Sequence, residues 1–231
     1  MKKINSLFLV IVAGLAMMVG SLFVSPQPAQ ASSLFSAGYS NLSWYDNTGT
    51  TLPQVPNYSK YDLLNKVQPG DVIFEGTGFG GLTGHILTVE GIFHDPTLDK
   101  DYIRIIESSM FLSHSHFVAD GVVRGVLDDQ RVDDNKISIY RDPNATFSQG
   151  VAVANFEVSQ LGKPYTFKYF SYSNSPNTKK WYCSELAWAA WESQGIDIEN
   201  HAWNRLPGLI SPRDVTIYSP NMKLIFKGDK A

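Results

Sequence analysis

Trp181-Tyr182-Cys183-Ser184-Glu185-Leu186-Ala187-Trp188 carries the only cysteine of the 231-residue chain. The run reads as the first turn of a helix that continues to Gln194 and is stopped by Gly195. The positive end of a helix dipole favours a thiolate. A lone cysteine forms no intramolecular disulfide, and in an exported chain it is open to oxidation. Two readings stand on this local ground. Cys183 is a nucleophile, or it is a buried structural thiol, since free cysteine packs as a small hydrophobe.

The other end of the chain supplies the address. Lys2 and Lys3 precede an almost wholly apolar run, Leu7 to Val24, and Ala29-Gln30-Ala31 has the small-x-small form of a signal cleavage site. Residues 1–31 are expected to be a signal peptide cut after Ala31, with an uncleaved anchor as the alternative, because the run is long enough to span a bilayer. No cysteine lies near the cut, so a lipoprotein anchor is not expected. The expected location is secreted or in the cell envelope. Losing the two lysines takes the formal charge from −3 to −5. That balance argues against nucleic acid or anionic lipid as an electrostatically held partner.

Residues 32–64 are rich in Ser, Asn, Thr, Gly and Pro with scattered rings, and read as an irregular N-terminal arm. Residues 65–231 read as one domain. Val72–Glu75 follows turn chemistry at Gln68-Pro69-Gly70-Asp71 and reads as a strand. Gly76 to Gly84 holds five glycines and reads as a flexible loop. It lacks nucleotide-fingerprint spacing and a following basic residue, which excludes phosphate binding of that type. Strands are expected over 85–93, 102–108, 121–126, 136–141 and 223–227, the earlier ones as an antiparallel meander. Helices are expected over 144–161, with Val151, Ala154, Val158 and Leu161 on one stripe, and over 183–194. The fold class is α+β: helices packed against an antiparallel sheet.

A thiol nucleophile needs a base, and the base needs an orienting group. A free thiol titrates near ~8.5, and a neighbouring imidazolium lowers that by several units. Five histidines are available. His85 opens an apolar strand beside the glycine loop, a frequent setting for catalytic groups. His94 sits in a polar turn and reads as solvated. His114 and His116 form a His-x-His pair, but cysteine or carboxylate partners at metal-site spacing are missing. No metal or other cofactor is expected. His201 reads as surface or packing. Glu107 ends the apolar strand Ile103-Arg104-Ile105-Ile106, where a buried acid needs a partner. It can meet His85 if the two strands pair. Glu90 is the rival, but its odd spacing from His85 points it to the other face.

The order His85, Glu107, Cys183 resembles the circularly permuted branch of the NlpC-type papain-like cysteine hydrolases, the YiiX/YebB-like family. The resemblance rests on Gln68-Pro69-Gly70-Asp71-Val72-Ile73-Phe74, Thr83-Gly84-His85-Ile86, Ile105-Ile106-Glu107-Ser108 with Gly121-Val122-Val123, Gly162-Lys163-Pro164-Tyr165, Tyr182-Cys183-Ser184-Glu185-Leu186 and Ser211-Pro212-Arg213-Asp214. It covers roughly residues 65 to 226. The arm before residue 60 and the insert around Met110 to Asp120 have no counterpart in it.

The resemblance implies a papain-like fold and a cysteine hydrolase, an amidase or peptidase. Cys183 is then the nucleophile, His85 the base and later the acid, and Glu107 the orienter of the imidazole. Tyr182 and Tyr165 are the candidates to line the substrate and oxyanion region, and Glu185 has a structural role. The expected substrate is a peptide, with cell-wall peptides as one candidate; a lipid ester or amide hydrolase, or an acyltransferase, of the same fold is the alternative, with an acyl-amide or lipid substrate. A non-catalytic peptide- or acyl-binding module is the reading from another class. Contact with the cell wall or membrane surface and the oligomeric state stay open. The glycine loop is expected to gate the groove, with Met110-Phe111-Leu112 bordering it.

Overall fold

Alternating apolar residues on both sides of the central strands make a sheet that is covered on two faces. The computed structural model describes residues 55–77, 83–95, 99–109, 121–166, 168, 173–200 and 209–231. The strands are β1 (Val72–Glu75), β2 (His85–Asp95), β3 (Lys100–Ser109), β4 (Gly121–Leu127), β5 (Ile137–Arg141) and β6 (Lys223–Lys227). The helices are α1 (Asp129–Asn135), α2 (Phe147–Val158) and α3 (Cys183–Glu192). The six strands form one sheet in the order β4-β3-β2-β1-β5-β6, with every pairing antiparallel. The expected meander holds from β1 to β4. The chain then returns through α1, so that β5 pairs with the free side of β1.

One face, with Val72, Phe74, Ile86 and Ile106, packs against α2 and α3 through Val153, Leu186, Ala187 and Ala190. The other face, with Ile73, Leu87, Val89, Ile103 and Ile105, is covered by Val132 of α1 and by Tyr61 and Leu63. The described part of the N-terminal arm is therefore attached to the domain. Tyr58 reinforces this, its hydroxyl oxygen accepting from the Ile103 N–H at 2.8 Å.

Two expectations are corrected here. The buried face of α2 is Gly150, Val153, Ala154 and Glu157, rotated from the stripe expected through Val151, Ala154, Val158 and Leu161. Gly150 sets that rotation. Its Cα lies against the Pro69-Gly70 turn, where a Cβ would collide with the Pro69 carbonyl. Glu157 is then turned to the sheet, where it accepts from the Thr88 hydroxyl at 2.7 Å. The second correction is α1, which no apolar periodicity announced. Asp128 caps it by accepting from the Arg131 N–H at 2.9 Å, and Lys136 ends it in the left-handed region at φ 54°.

Candidate active site

Three elements converge at the end of the sheet where β2 begins. Gly84 turns the chain into β2 at φ +78°, beside the Phe74 ring that a Cβ would strike. This fixes His85 as the first residue of the strand, opposite Glu75 of β1. Two positions further along β2, Leu87 is opposite Glu107 of β3. His85 and Glu107 are thus diagonal neighbours, and their side chains meet: His85 Nε2 lies 2.6 Å from Glu107 Oε2. His85 is also hydrogen-bonded to Cys183. With Nε2 engaged by Glu107, Nδ1 is the ring nitrogen left for the sulfur.

Cys183 is held in place by the segment before it. Trp181 is fully buried. Its indole N–H donates to Gln160 Oε1 at 3.1 Å, its backbone N–H to the Pro164 carbonyl at 3.2 Å, and its carbonyl accepts from the Ser108 hydroxyl of β3 at 2.8 Å. Those bonds tie the start of α3 to β3 and to the Gly162–Tyr165 segment. Tyr182 is the helix N-cap in extended conformation without a side-chain cap. Glu185, three residues on, supplies the return half of a capping box by accepting from the Tyr182 backbone. It also accepts from the Ser173 N–H at 2.9 Å. Ser184 donates to the Ile210 carbonyl at 2.7 Å.

The electrostatics favour an ion pair. Burial pushes the Cys183 thiol up, but His85 and the Ile86 backbone N–H outweigh this and hold it below its ordinary value. Burial pushes the His85 imidazole down, but the Cys183 sulfur and Glu107 carry it above the ordinary imidazole range. Opposite shifts of this kind describe a thiolate beside an imidazolium. Behind the pair lies a second layer that sequence reasoning missed. Arg131 of α1 donates from Nη2 to Glu107 Oε1 at 2.9 Å and from Nε to Glu75 Oε1 at 2.8 Å. Asn135 also reaches Glu75, at 3.3 Å. Glu75, Glu107 and Arg131 are all buried. The available signal was an acid ending the apolar strand Val72-Ile73-Phe74-Glu75, matched by one Arg in an acidic stretch.

The remaining candidates fall as follows. Glu90 sits at a bulge in β2 and is taken up by Arg104 at 2.6 Å and Arg124 at 2.8 Å, away from His85. His94 is exposed and lies 3.0 Å from Asp101. The Tyr182 ring is packed in the core at 2 % exposure, with its hydroxyl oxygen accepting from the Ile210 N–H. Tyr182 therefore contributes its backbone to the site, and its ring lines no open surface. Tyr165 is half-buried, bridges to Trp181, and lines an open pocket beside α3. His114, His116, His201, Met110-Phe111-Leu112, most of the glycine loop and residues 1–54 lie outside the described residues. Among the described residues, no group of three or more His, Cys, Asp and Glu side chains is arranged to hold a metal ion. No helix there is long and apolar enough to cross a membrane.

No family model matches the chain. It is 27 % identical over 250 residues to YycO of Bacillus subtilis (strain 168), an uncharacterized protein, with 94 % of each chain covered. Among solved structures it is similar to metalloprotein YiiX of Escherichia coli O157:H7. That match has a TM-score of 0.44 and 17 % identity, and covers 70 % of this chain and 98 % of the other.

Proposed function

We propose that this chain is an exported cysteine hydrolase of the permuted papain-like type, acting on an amide bond of a peptide. The observation that carries the reading is the continuous buried relay Cys183–His85–Glu107, in which the sole cysteine begins a helix and meets an imidazole anchored at 2.6 Å by a carboxylate. A structural thiol has no use for an imidazole whose other nitrogen is fixed by an acid.

The proposed reaction runs in two halves. The Cys183 thiolate attacks the carbonyl carbon, and the electron pair of the C=O moves onto oxygen. The Cys183 N–H at the helix start stabilises that oxyanion. His85 gives its proton to the amine, the C–N bond breaks, and a thioester remains. Water then attacks the thioester while His85 takes its proton. The acid leaves, and the thiolate and imidazolium are restored. Glu107 keeps the imidazole in register and stabilises its charge throughout.

Incubating the protein with cell-wall peptide fragments, and separately with N-acyl and phospholipid substrates, tests this by mass spectrometry of the products. Amide cleavage that vanishes in Cys183→Ala and is indifferent to EDTA is the expected result. Cleavage that persists in Cys183→Ala removes the mechanism. Products from lipid substrates alone would move the substrate from peptide to acyl lipid. An alkylation rate at Cys183 equal to that of a free thiol, with no turnover, would leave a binding module.

A further inference from the structure

An open pocket of about 440 Å3 lies beside the start of α3. Its wall includes Tyr165, Lys168, Thr178, Lys179, Lys180 and Glu185. Three of these are lysines in a chain whose formal charge is −3. None of the three makes a salt bridge or a side-chain hydrogen bond to a described residue. Two other lysines are committed to partners: Lys60 pairs with Asp133 at 2.8 Å, and Lys163 donates to three protein acceptors.

Lys163 also shows that this wall is built. Its ammonium donates to Gln160 Oε1 at 2.6 Å, the Pro176 carbonyl at 2.8 Å and the Thr178 carbonyl at 2.6 Å. Thr178 in turn donates to Ser173 Oγ at 2.9 Å, and the Ser173 N–H donates to Glu185. The loop that carries Lys179 and Lys180 is thereby bound to the end of α2 and to the first turn of α3. Glu185, the acid of the lining, spends its carboxylate on the Ser173 and Tyr182 backbones, and burial holds it up to about 7. It offsets the lysines only in part at neutral pH.

We propose that this recess is the subsite for an anionic oxygen group of the substrate, a carboxylate or a phosphate, placed next to the scissile acyl bond. The inference rests on Cys183 being the nucleophile. Only Trp181 and Tyr182 separate Lys180 from Cys183, and Glu185 stands in the same helical turn. Three residue steps of backbone, at most about 11 Å, lead from Lys180 to Cys183, so a substrate seated in the recess can span to the sulfur. Three cations in one concavity, without a side-chain partner among the described residues, raise the local concentration of such a group and orient it.

Alkylation of Cys183 by matched chloroacetamides tests this without requiring turnover. The thiolate displaces chloride from the chloroacetyl CH2 and forms a thioether. The probes are chloroacetyl-glutamic acid amide, chloroacetyl-glutamine amide and N-chloroacetyl phosphoethanolamine. At low ionic strength the glutamic acid probe is expected to react about tenfold faster than the glutamine probe, with the advantage falling as salt is added. Lys179→Gln/Lys180→Gln should bring that ratio close to one. Lys223→Gln/Lys227→Gln, on the outer strand β6, should keep the wild-type ratio. The thermal midpoint of each variant reports that it is folded. A faster phosphoethanolamine probe with the same lysine dependence assigns the group to phosphate, and a faster glutamic acid probe assigns it to carboxylate. A wild-type ratio of one, or a ratio unchanged in Lys179→Gln/Lys180→Gln, overturns the subsite. Rapid labelling without charge preference would leave the hydrolase standing and remove only this inference. Charge preference at the slow rate of an ordinary thiol would show an anion site beside Cys183 but remove the scissile bond it serves, and so would overturn the hydrolase and the subsite together.

Discussion

Glu107→Gln isolates the charge of the orienting residue, because glutamine keeps the shape and loses the sign. Glu107 Oε2 lies 2.6 Å from His85 Nε2, while its Oε1 lies 2.9 Å from Arg131 Nη2. Two unit charges about 4 Å apart interact by about 4 kcal/mol at an effective dielectric of 20. Arg131 neutralises part of that field, which leaves roughly 1.5–3 kcal/mol acting on the imidazolium, or about 1–2 pH units. Glu107 raises the His85 value, so its loss must lower it. A ring-nitrogen NMR titration reads this directly, with the His85 signal identified by its absence in His85→Gln. The wild-type midpoint should stand above the ordinary imidazole range, and the variant about 1–2 units lower. The alkaline limb of kcat/KM should move down by the same amount. A group with a raised folded value contributes stability below its unfolded value and loses that contribution as pH rises through the folded value. The stability cost of Glu107→Gln should therefore be largest in acid and shrink towards alkaline pH. A midpoint that stays put or rises would refute the assignment of Glu107 as the charge that holds the imidazolium.

Other perturbations probe neighbouring parts. Arg131→Met leaves Glu75 and Glu107 buried without their shared cation, and should cost about 3–5 kcal/mol in denaturant titration. A loss below about 1 kcal/mol would show the network to be hydrated. Burial, with Glu90 adding to it, raises Glu157 to about 8 against the Thr88 hydrogen bond. The unfolded chain thus ionises Glu157 near ~4.3 while the folded one resists, and stability falls as pH rises through that window. Glu157→Gln should flatten the difference in thermal midpoint between pH 5 and about pH 8; an unaltered slope would place the pH dependence elsewhere. Gly84→Ala combines a left-handed φ with a collision against Phe74. It should cost more than about 1 kcal/mol and slow alkylation of Cys183 by displacing His85, and equal alkylation rates would separate the turn from the site.

The strands were legible because residues such as Val72, Ile73, Ile86 and Leu87 carry apolar side chains on both faces and lie between turn residues. β1 and β6 have the expected bounds, and β2 runs two residues further, to Asp95. Cys183 was legible through composition, and His85 through its place after the glycine loop. Helix α1 was not, because Asp129 to Asn135 contains one apolar residue, Val132, and shows no period. With α1 went Arg131, whose partners at 75 and 107 lie on different strands. That contact is created by the return of β5 to β1, which no local spacing encodes. The α2 stripe was misread because a glycine and a glutamate, Gly150 and Glu157, face the core while Val151 and Val158 do not. Close backbone approach and one hydrogen bond overrode hydropathy there.

The acidity of Cys183 is borrowed from residues far upstream, and this gives the chain two chemical lives. His85 lies at the head of β2, and Glu107 and Arg131 follow it, all before α3 in sequence. None of their effects reaches Cys183 until the sheet has assembled and the Trp181 anchor has docked on β3. Before that moment the sulfur is an ordinary thiol, mostly protonated and slow to oxidise at neutral pH. The ordering of long-range contacts is thus also the step that brings the thiol pKa below its ordinary value, and the unfolded chain carries an ordinary cysteine. Native-like reactivity at Cys183 becomes a reporter for completion of the fold, since it depends on contacts between segments that are late to meet.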